Sequence, residues 1–417
     1  MKKAAPTVWD VIVIGGGPAG MMAAARAGER GKTVLLLEKN TRLGVKLSLT
    51  GGGRCNVTNN KTDVRTMLTN YKDAGKFLFS TFTKHGVAET IQWFAGRGIT
   101  FHEENEGRLF PITNSAETIR KTLIDALREQ QVSIRVGAIV SAILHDVETG
   151  LFTIQLSNGK ISHSHSCIVA TGGMSRPETG STGEGFSWLS TLGHTIKKDS
   201  LSLVPLMLHD TWVEKIRGVT IPDCKITLYS GDKKQKAQRG KILFTHTGVS
   251  GPTILNISSM VKELLLHGTV TLVLDLFPEL DDKALRSSIQ ELLLINSNQK
   301  IKNVLARIVP RALALIILEL LKINSETPTH SLLAKDRVML VFFLKHFPLH
   351  VKGLLGADKA IVSSGGVSLT EIDFKTMGSL IVPNLFLVGD VLDIDRPSGG
   401  YSLQLCWSTG YVAGSSA

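Results

Sequence analysis

The chain has 417 residues, of which 43% are hydrophobic and 20% charged, and it carries a formal net charge of +11 at pH 7. That length exceeds one ordinary domain and that balance describes a soluble globular protein of two or three domains with ample core, whose basic excess attracts polyanions and leaves RNA open as a partner. Its four cysteines, Cys55, Cys167, Cys224 and Cys406, lack paired spacing, which excludes a zinc site or disulfide framework and fits a reducing cytoplasm.

Lys2 and Lys3 stand ahead of apolar residues as a secretory leader would begin, but Asp10 interrupts the run and the residues after it form the first predicted strand. Val11-Ile12-Val13-Ile14 leads into Gly15-Gly16-Gly17-Pro18-Ala19-Gly20, an alanine-rich helix, the strand Thr33-Val34-Leu35-Leu36-Leu37, and Glu38. In that order these are the parts of a dinucleotide-binding βαβ unit. Gly15 permits the tight turn, Gly17 leaves the pyrophosphate unobstructed, and Gly20 lets the helix pack on the sheet. The helix N-terminus at Pro18 and Ala19 faces the diphosphate. Glu38, roughly 20 residues on, accepts from both ribose hydroxyls and argues against a 2′-phosphate, with Lys39 beside it in the same site.

The loop Gly51-Gly52-Gly53-Arg54-Cys55-Asn56 follows, where glycines admit a close cofactor and Arg54 balances its charge. Helical character is expected around 77–98 and a hairpin-like meander from Ile134 to Ile161. Cys167-Ile168-Val169-Ala170 is a buried strand that ends in the small-residue turn Thr171-Gly172-Gly173.

From about Pro205 to Leu276 short alternating strands read as an inserted antiparallel β domain. Ser230-Gly231-Asp232 is its clearest hairpin turn, amid Lys225, Lys233, Lys234, Lys236, Arg239 and Lys241. That run is either a solvated hairpin tip or a loop facing a polyanion. Helical periodicity is expected from Asp281 to about His350, and the longest apolar helical stretch, Ala312 to Leu321, contains Glu319 and falls short of the ~20 residues that span a bilayer. Ala360-Ile361-Val362 returns to sheet, and Asn384-Leu385-Phe386-Leu387-Val388-Gly389-Asp390 is a further strand that ends in an acid aimed at the ligand crevice. The small-residue turn at Thr171 and Gly172 and the strand ending at Gly389 and Asp390 are pieces that a flavin fold needs, which points to FAD over NAD.

The predicted architecture is α/β: a discontinuous Rossmann-like FAD-binding domain in residues 1–195 and 352–417, with an antiparallel β domain in 196–278 and a small helical domain in 279–351 inserted into it. The chain resembles the BaiN-like bacterial flavoproteins, labelled NAD(P)/FAD-dependent oxidoreductases or aminoacetone oxidase family FAD-binding enzymes. The resemblance runs nearly end to end, through Leu49-Thr50-Gly51-Gly52-Gly53-Arg54-Cys55-Asn56-Val57-Thr58-Asn59, Gly107-Arg108-Leu109-Phe110-Pro111, Thr179-Gly180-Ser181-Thr182-Gly183, Phe244-Thr245-His246-Thr247-Gly248 and Gly399-Gly400-Tyr401-Ser402-Leu403-Gln404. More distantly, the layout is similar to that of fumarate reductase flavoproteins. Two positions depart from the family's pattern: Arg396-Pro397 replaces a glycine-containing segment, and Ser402 stands where Asn is more usual.

The resemblance implies an FAD-dependent oxidoreductase that passes hydride from NAD(P)H or another donor through FAD to a polarised double bond. Cofactor contacts are expected from Gly52, Arg54, Cys55, Asn56, Thr171 and Gly172, from Gly389 and Asp390, and from Gly400, Tyr401 and Gln404. No second cysteine follows Cys55 before Cys167, so Cys55 reads as a packed or flavin-adjacent thiol rather than half of a redox disulfide. No second Rossmann unit is evident in 196–350, so a nicotinamide donor would dock transiently. His246 is the candidate acid, against a histidine merely bonded to its turn. Tyr401 either donates to substrate or covers the flavin, and Arg108 either binds an anionic substrate or closes a salt bridge. Family members are associated with reduction of a ribosomal RNA uridine and with steroid-like bile acids, and the charge leans toward RNA. The other readings are a small-molecule flavin reductase or oxidase, and a non-catalytic flavin-binding adaptor on RNA.

Overall fold

The computed structural model describes residues 8–202, 204–355 and 362–417; Lys2, Lys3, Ala360 and Ile361 lie outside them. The chain forms two compact units, one from residues 1–202 with 357–417 and one from 203–356.

The first unit is built on a seven-stranded sheet. Its centre is β1, Val8–Ile14, flanked in parallel by β2, Val34–Leu37, and by the strand Ile161–Val169. Ser133–Arg135 extends the sheet beyond β2, and Leu385–Leu387 runs parallel to the end of Ile161–Val169. The start of that same strand pairs antiparallel with Phe152–Leu156, which pairs in turn with Val140–His145. Val11 to Ile14 and Val34 to Leu37 are buried along their whole length, as strands covered on both faces must be, which is why they read as unbroken apolar runs.

Helix α1, Pro18–Glu29, connects β1 to β2. The C-terminal helix Tyr401–Ser416 lies against it, and the approach depends on two glycines: a Cβ on Gly410 would stand 2.5 Å from the Ala19 carbonyl oxygen, and one on Gly414 would stand 2.3 Å from that of Ala23. The alanine-rich face of α1 is therefore a packing surface for another backbone. A three-stranded sheet of Thr58–Asn59, Arg108–Pro111 and Phe101–Glu104 and the helices Gly75–Lys84 and Val87–Ala95 complete this unit's periphery.

The second unit is a closed antiparallel barrel of Leu206–Leu208, Gly248–Ser250, Lys233–Phe244, Thr220–Ser230, Val270–Asp275 and Phe347–Leu354. Ile226, Leu228, Leu272, Leu274, Leu349 and Val351 point inward, and one apolar core joins them to the helices Asp282–Ile295, Arg311–Leu320 and Ala334–Lys345. The domain boundaries expected from the sequence change in two respects. The barrel and its helices form one unit rather than separate β and helical domains, because neither closes a core without the other. Strand Ile196–Ser202 pairs with Val362–Val367 inside the first unit, so the boundaries fall at 202/203 and 356/357. The sixth barrel strand also begins where helix was expected; Phe347, Leu349 and Val351 are buried and alternate with half-buried Pro348 and exposed His350 and Lys352, a period of two that so short a run states only faintly. Among the described residues no helix is long and apolar enough to cross a membrane.

Candidate functional site

The site begins at the turn after β1. Gly15 has φ +108°, and a Cβ on it would stand 2.4 Å from the Ala170 carbonyl oxygen, so only glycine brings β1 and the neighbouring strand end this close. A Cβ on Gly20 would meet the Gly15 carbonyl oxygen at 1.9 Å, whereas one on Gly17 would meet nothing within 4 Å. Gly17 therefore faces open space. Pro18 opens α1, whose first turn holds no acidic residue and no side-chain cap, leaving the positive end of the helix available to an anion.

That open space is a cleft walled entirely by the first unit, from Ile14–Ala19, Leu37–Asn40, Gly44–Leu47, Ala170–Gly172, Thr179–Glu184 and the segments around Asp390 and Ser402. Glu38 is buried on its wall; Gly16 N–H donates to Oε2 at 2.7 Å and Asn40 N–H to Oε1 at 2.8 Å. Both carboxylate oxygens are thus fixed in direction, with lone pairs left to accept from a ligand hydroxyl. Lys39 Nζ donates to Thr182 Oγ1 at 2.7 Å and pairs with Glu184 at 2.9 Å, and Asn40 Nδ2 donates to the Thr179 carbonyl at 3.0 Å. These bonds tie segment 179–184 over the end of β2. Gly172 also lines this wall with φ +75°.

Farther along, Asp390 and Lys46 face the cavity. Lys46 Nζ donates to Ser175 Oγ at 2.7 Å and stands 3.7 Å from Asp390 Oδ2, while Arg396 donates to Asp390 Oδ1. Burial by itself raises the Asp390 pKa, but Arg396 and Lys46 outweigh it and hold the carboxyl below its ordinary value. Burial lowers Lys46, with Asp390 opposing. Cys406, also on the wall, is pushed up to about 12 by burial and then by the Asp390 charge.

The remaining expected residues are not gathered on this wall: several are packed within the first unit, Gly52 is exposed there, and His246 lies in the barrel unit. Gly52 is exposed in a left-handed turn at φ +68°. Arg54 pairs with Glu104 at 2.5 Å and lies 4.2 Å over the Phe110 ring. Cys55 is fully buried, its thiol pushed up to about 12 by burial, so it stays protonated at neutral pH. Asn56, with its amide turned to satisfy its neighbours, donates to the Thr58 carbonyl at 2.9 Å and accepts from Gly400 N–H at 2.9 Å. Gln404 is buried, accepting from Thr58 Oγ1 at 2.6 Å and donating to Thr90 Oγ1 at 2.8 Å. Gly389 N–H donates to Thr409 Oγ1 at 3.0 Å. The Tyr401 hydroxyl accepts from Lys61 Nζ at 2.9 Å. Arg108 Nε donates to the Asn105 carbonyl at 2.9 Å. His246 is exposed in the turn between Lys233–Phe244 and Gly248–Ser250 of the barrel unit.

Sequence reasoning missed Lys46 and Cys406 as parts of the wall, and Ser175 as the hydroxyl that holds Lys46, because none sits in a motif whose spacing names a role. Two observations fit a dinucleotide. The face of Gly17 is empty where a diphosphate would approach, and Thr171 Oγ1 is buried on the wall with no hydrogen-bond partner, a deficit that a ligand polar group relieves.

Comparison with known proteins agrees with this geometry. Residues 9–416 match the HI0933-like protein Rossmann domain. A ribosomal RNA dihydrouridine synthase of Escherichia coli K12 is 32% identical over 414 residues, 97% of this chain and 96% of the relative. A 3-dehydro-bile acid delta(4,6)-reductase of Clostridium scindens is 29% identical over 408 residues, 97% of this chain and 98% of the relative. Among solved structures, the 3-ketosteroid-delta4-(5alpha)-dehydrogenase of Rhodococcus jostii RHA1 superposes with a TM-score of 0.54 at 12% identity, covering 100% of this chain and 98% of that one.

Proposed function

The chain belongs to the HI0933-like Rossmann-domain family, and from that premise we propose that it is an FAD-dependent oxidoreductase acting as a reductase of a polarised carbon–carbon double bond. FAD, bound in the cavity of the first unit, would supply a two-electron centre that takes hydride from NAD(P)H or another donor and delivers it to substrate. The observation that carries this reading is the anion-ready turn at Gly15 to Ala19 opening onto a cavity whose far wall holds the half-buried Asp390 carboxylate between two cations, Lys46 and Arg396. In it, α1 would direct its positive end at the diphosphate, Glu38 would accept from the adenosine ribose, and Asp390 would accept from the hydroxyls between diphosphate and ring.

Substrate protonation falls to the His246 imidazole or the Tyr401 hydroxyl. For Tyr401 the local bonding favours donation: Lys61 Nζ donates a hydrogen bond to the phenol oxygen, so the phenol O–H is not spent on Lys61, and the ammonium would stabilise charge left behind after transfer. The substrate we favour is a uridine in ribosomal RNA. The name of the Escherichia coli relative and the net charge of +11 support it, and the name of the Clostridium relative, a delta(4,6)-reductase, describes the same net addition of hydride and proton to a double bond. That name also keeps a small apolar enone as the second reading. Given reductant and a ribosomal RNA fragment, the protein is expected to convert one uridine to dihydrouridine, read by nucleoside mass spectrometry. Unaltered RNA in cells with and without the gene, together with turnover of a small enone, would favour the second reading.

A further inference from the structure

Arg396 and Ser402 bond to each other: Arg396 Nε donates to Ser402 Oγ at 3.1 Å. The guanidinium also donates to the Ile394 carbonyl at 2.5 Å and to Asp390 Oδ1, with 0% of its side chain exposed. Asp390 and Ser402 line the cavity and Arg396 stands behind them. An arginine this deeply placed, with every partner fixed, holds its neighbours in one arrangement.

We propose that Arg396 is a positioning residue for FAD: from behind the wall it keeps Asp390 a carboxylate with Oδ2 left for Lys46 and the cavity, so that the acceptor for the cofactor's hydroxyls persists across pH. The proposal rests on the FAD reading above. Without Arg396, Asp390 keeps its burial, which favours the neutral acid, and only Lys46 opposes it. The other titratable groups around this cluster include Cys406 on the C-terminal helix and Tyr71 beside Arg396, with Tyr401 beyond it. Burial pushes both upward, to about 12 for Cys406 and well above its ordinary value for Tyr71, so neither titrates between pH 5.5 and 8.

The test is the dissociation constant of FAD, read by fluorescence quenching as apoprotein is titrated with FAD between about pH 5.5 and 8, a range that spans the titration of a buried carboxyl. Wild type and Arg396→Lys should bind with constants nearly independent of pH. Arg396→Gln should weaken by about tenfold as pH falls across that range, the effect of one proton taken up over about one pH unit of it. Asp390→Asn should bind more weakly but evenly, and the double variant Arg396→Gln/Asp390→Asn should lose the slope. A flat profile for Arg396→Gln, or a slope that survives in the double variant, overturns the proposal. If Arg396→Gln does not fold, Arg396→Gly carries the same measurement with the same two outcomes. Wild-type apoprotein that binds no FAD at any pH defeats the cofactor reading itself, a result distinct from a flat profile.

Discussion

Gly17 is the residue at which sequence, geometry and chemistry meet most closely. Because its missing side chain opens onto the cavity rather than onto protein, Gly17→Val should fold normally yet carry at least about tenfold less FAD, since a β-branched group fills the space the pyrophosphate needs. Flavin absorbance per protein, with a thermal melt alongside, checks this; full FAD content in the variant removes the reading. The proton donor is separable by half-reactions. Whichever of His246→Ala and Tyr401→Phe removes the acid should slow reoxidation of the reduced protein by substrate about 100-fold while leaving reduction by the donor nearly unchanged. Equal loss in both halves would assign that side chain to support of the fold. Arg396 shows what the sequence withheld at this scale. It stood out only as an unusual residue, because the carboxylate it holds lies across an irregular loop with no periodicity to connect them.

The opening strand, helix and second strand were legible in the sequence because each element there is dictated locally. Turn glycines, small helix residues and a terminal acid answer to a ligand's geometry, and the apolar runs answer to burial on both faces. Elements held by distant partners were not legible. His194 is an example: its Nδ1 meets Glu371 Oε2 at 3.0 Å and its Nε2 meets Ser379 Oγ at 2.9 Å, joining segments far apart in the chain. His194→Ala should cost about 2–3 kcal/mol by removing a buried imidazole and leaving two half-buried polar partners without it, measured by denaturant unfolding. The same cluster gives a pH dependence. Burial raises the Glu371 pKa, but hydrogen bonds from Thr195 and His194 reverse that and leave it below its ordinary value of 4.5. Its contribution is therefore present above that value and lost as pH falls through the folded pKa, and Glu371→Gln should reduce the loss of stability in acid.

The basic hairpin illustrates a double meaning at the same scale. Strand Lys233–Phe244 pairs with Gly248–Ser250 only at Leu243 and Phe244, so Lys233, Lys234 and Lys236 lie along an edge, where lysine also guards against strand addition. If they meet RNA, replacing all three by Gln should flatten the dependence of log K on log salt by up to ~3 units, with FAD content unchanged. An unaltered slope leaves them as edge guards.

Taken as a whole molecule, the chain assigns its cavity to the interrupted α/β unit and its basic hairpin and His246 to the barrel unit. The interrupted layout was legible because sheet-like patterning returns after residue 352, bringing the strand Leu385–Leu387, three residues short of Asp390, back beside Ile161–Val169. The union of barrel and helices was not, since a shared core leaves no mark on the sequence of either part. Substrate choice is decided in cells: deletion of the gene should remove one dihydrouridine from ribosomal RNA, and Gly17→Val protein should not restore it.

The central claim, that the first unit is built around FAD, is tested most directly by denaturing the purified wild-type protein and weighing the released chromophore by mass spectrometry against protein concentration. FAD is expected at close to one per chain; FMN, a nicotinamide dinucleotide in its place, or a colourless protein that cannot be reconstituted with FAD would contradict the claim.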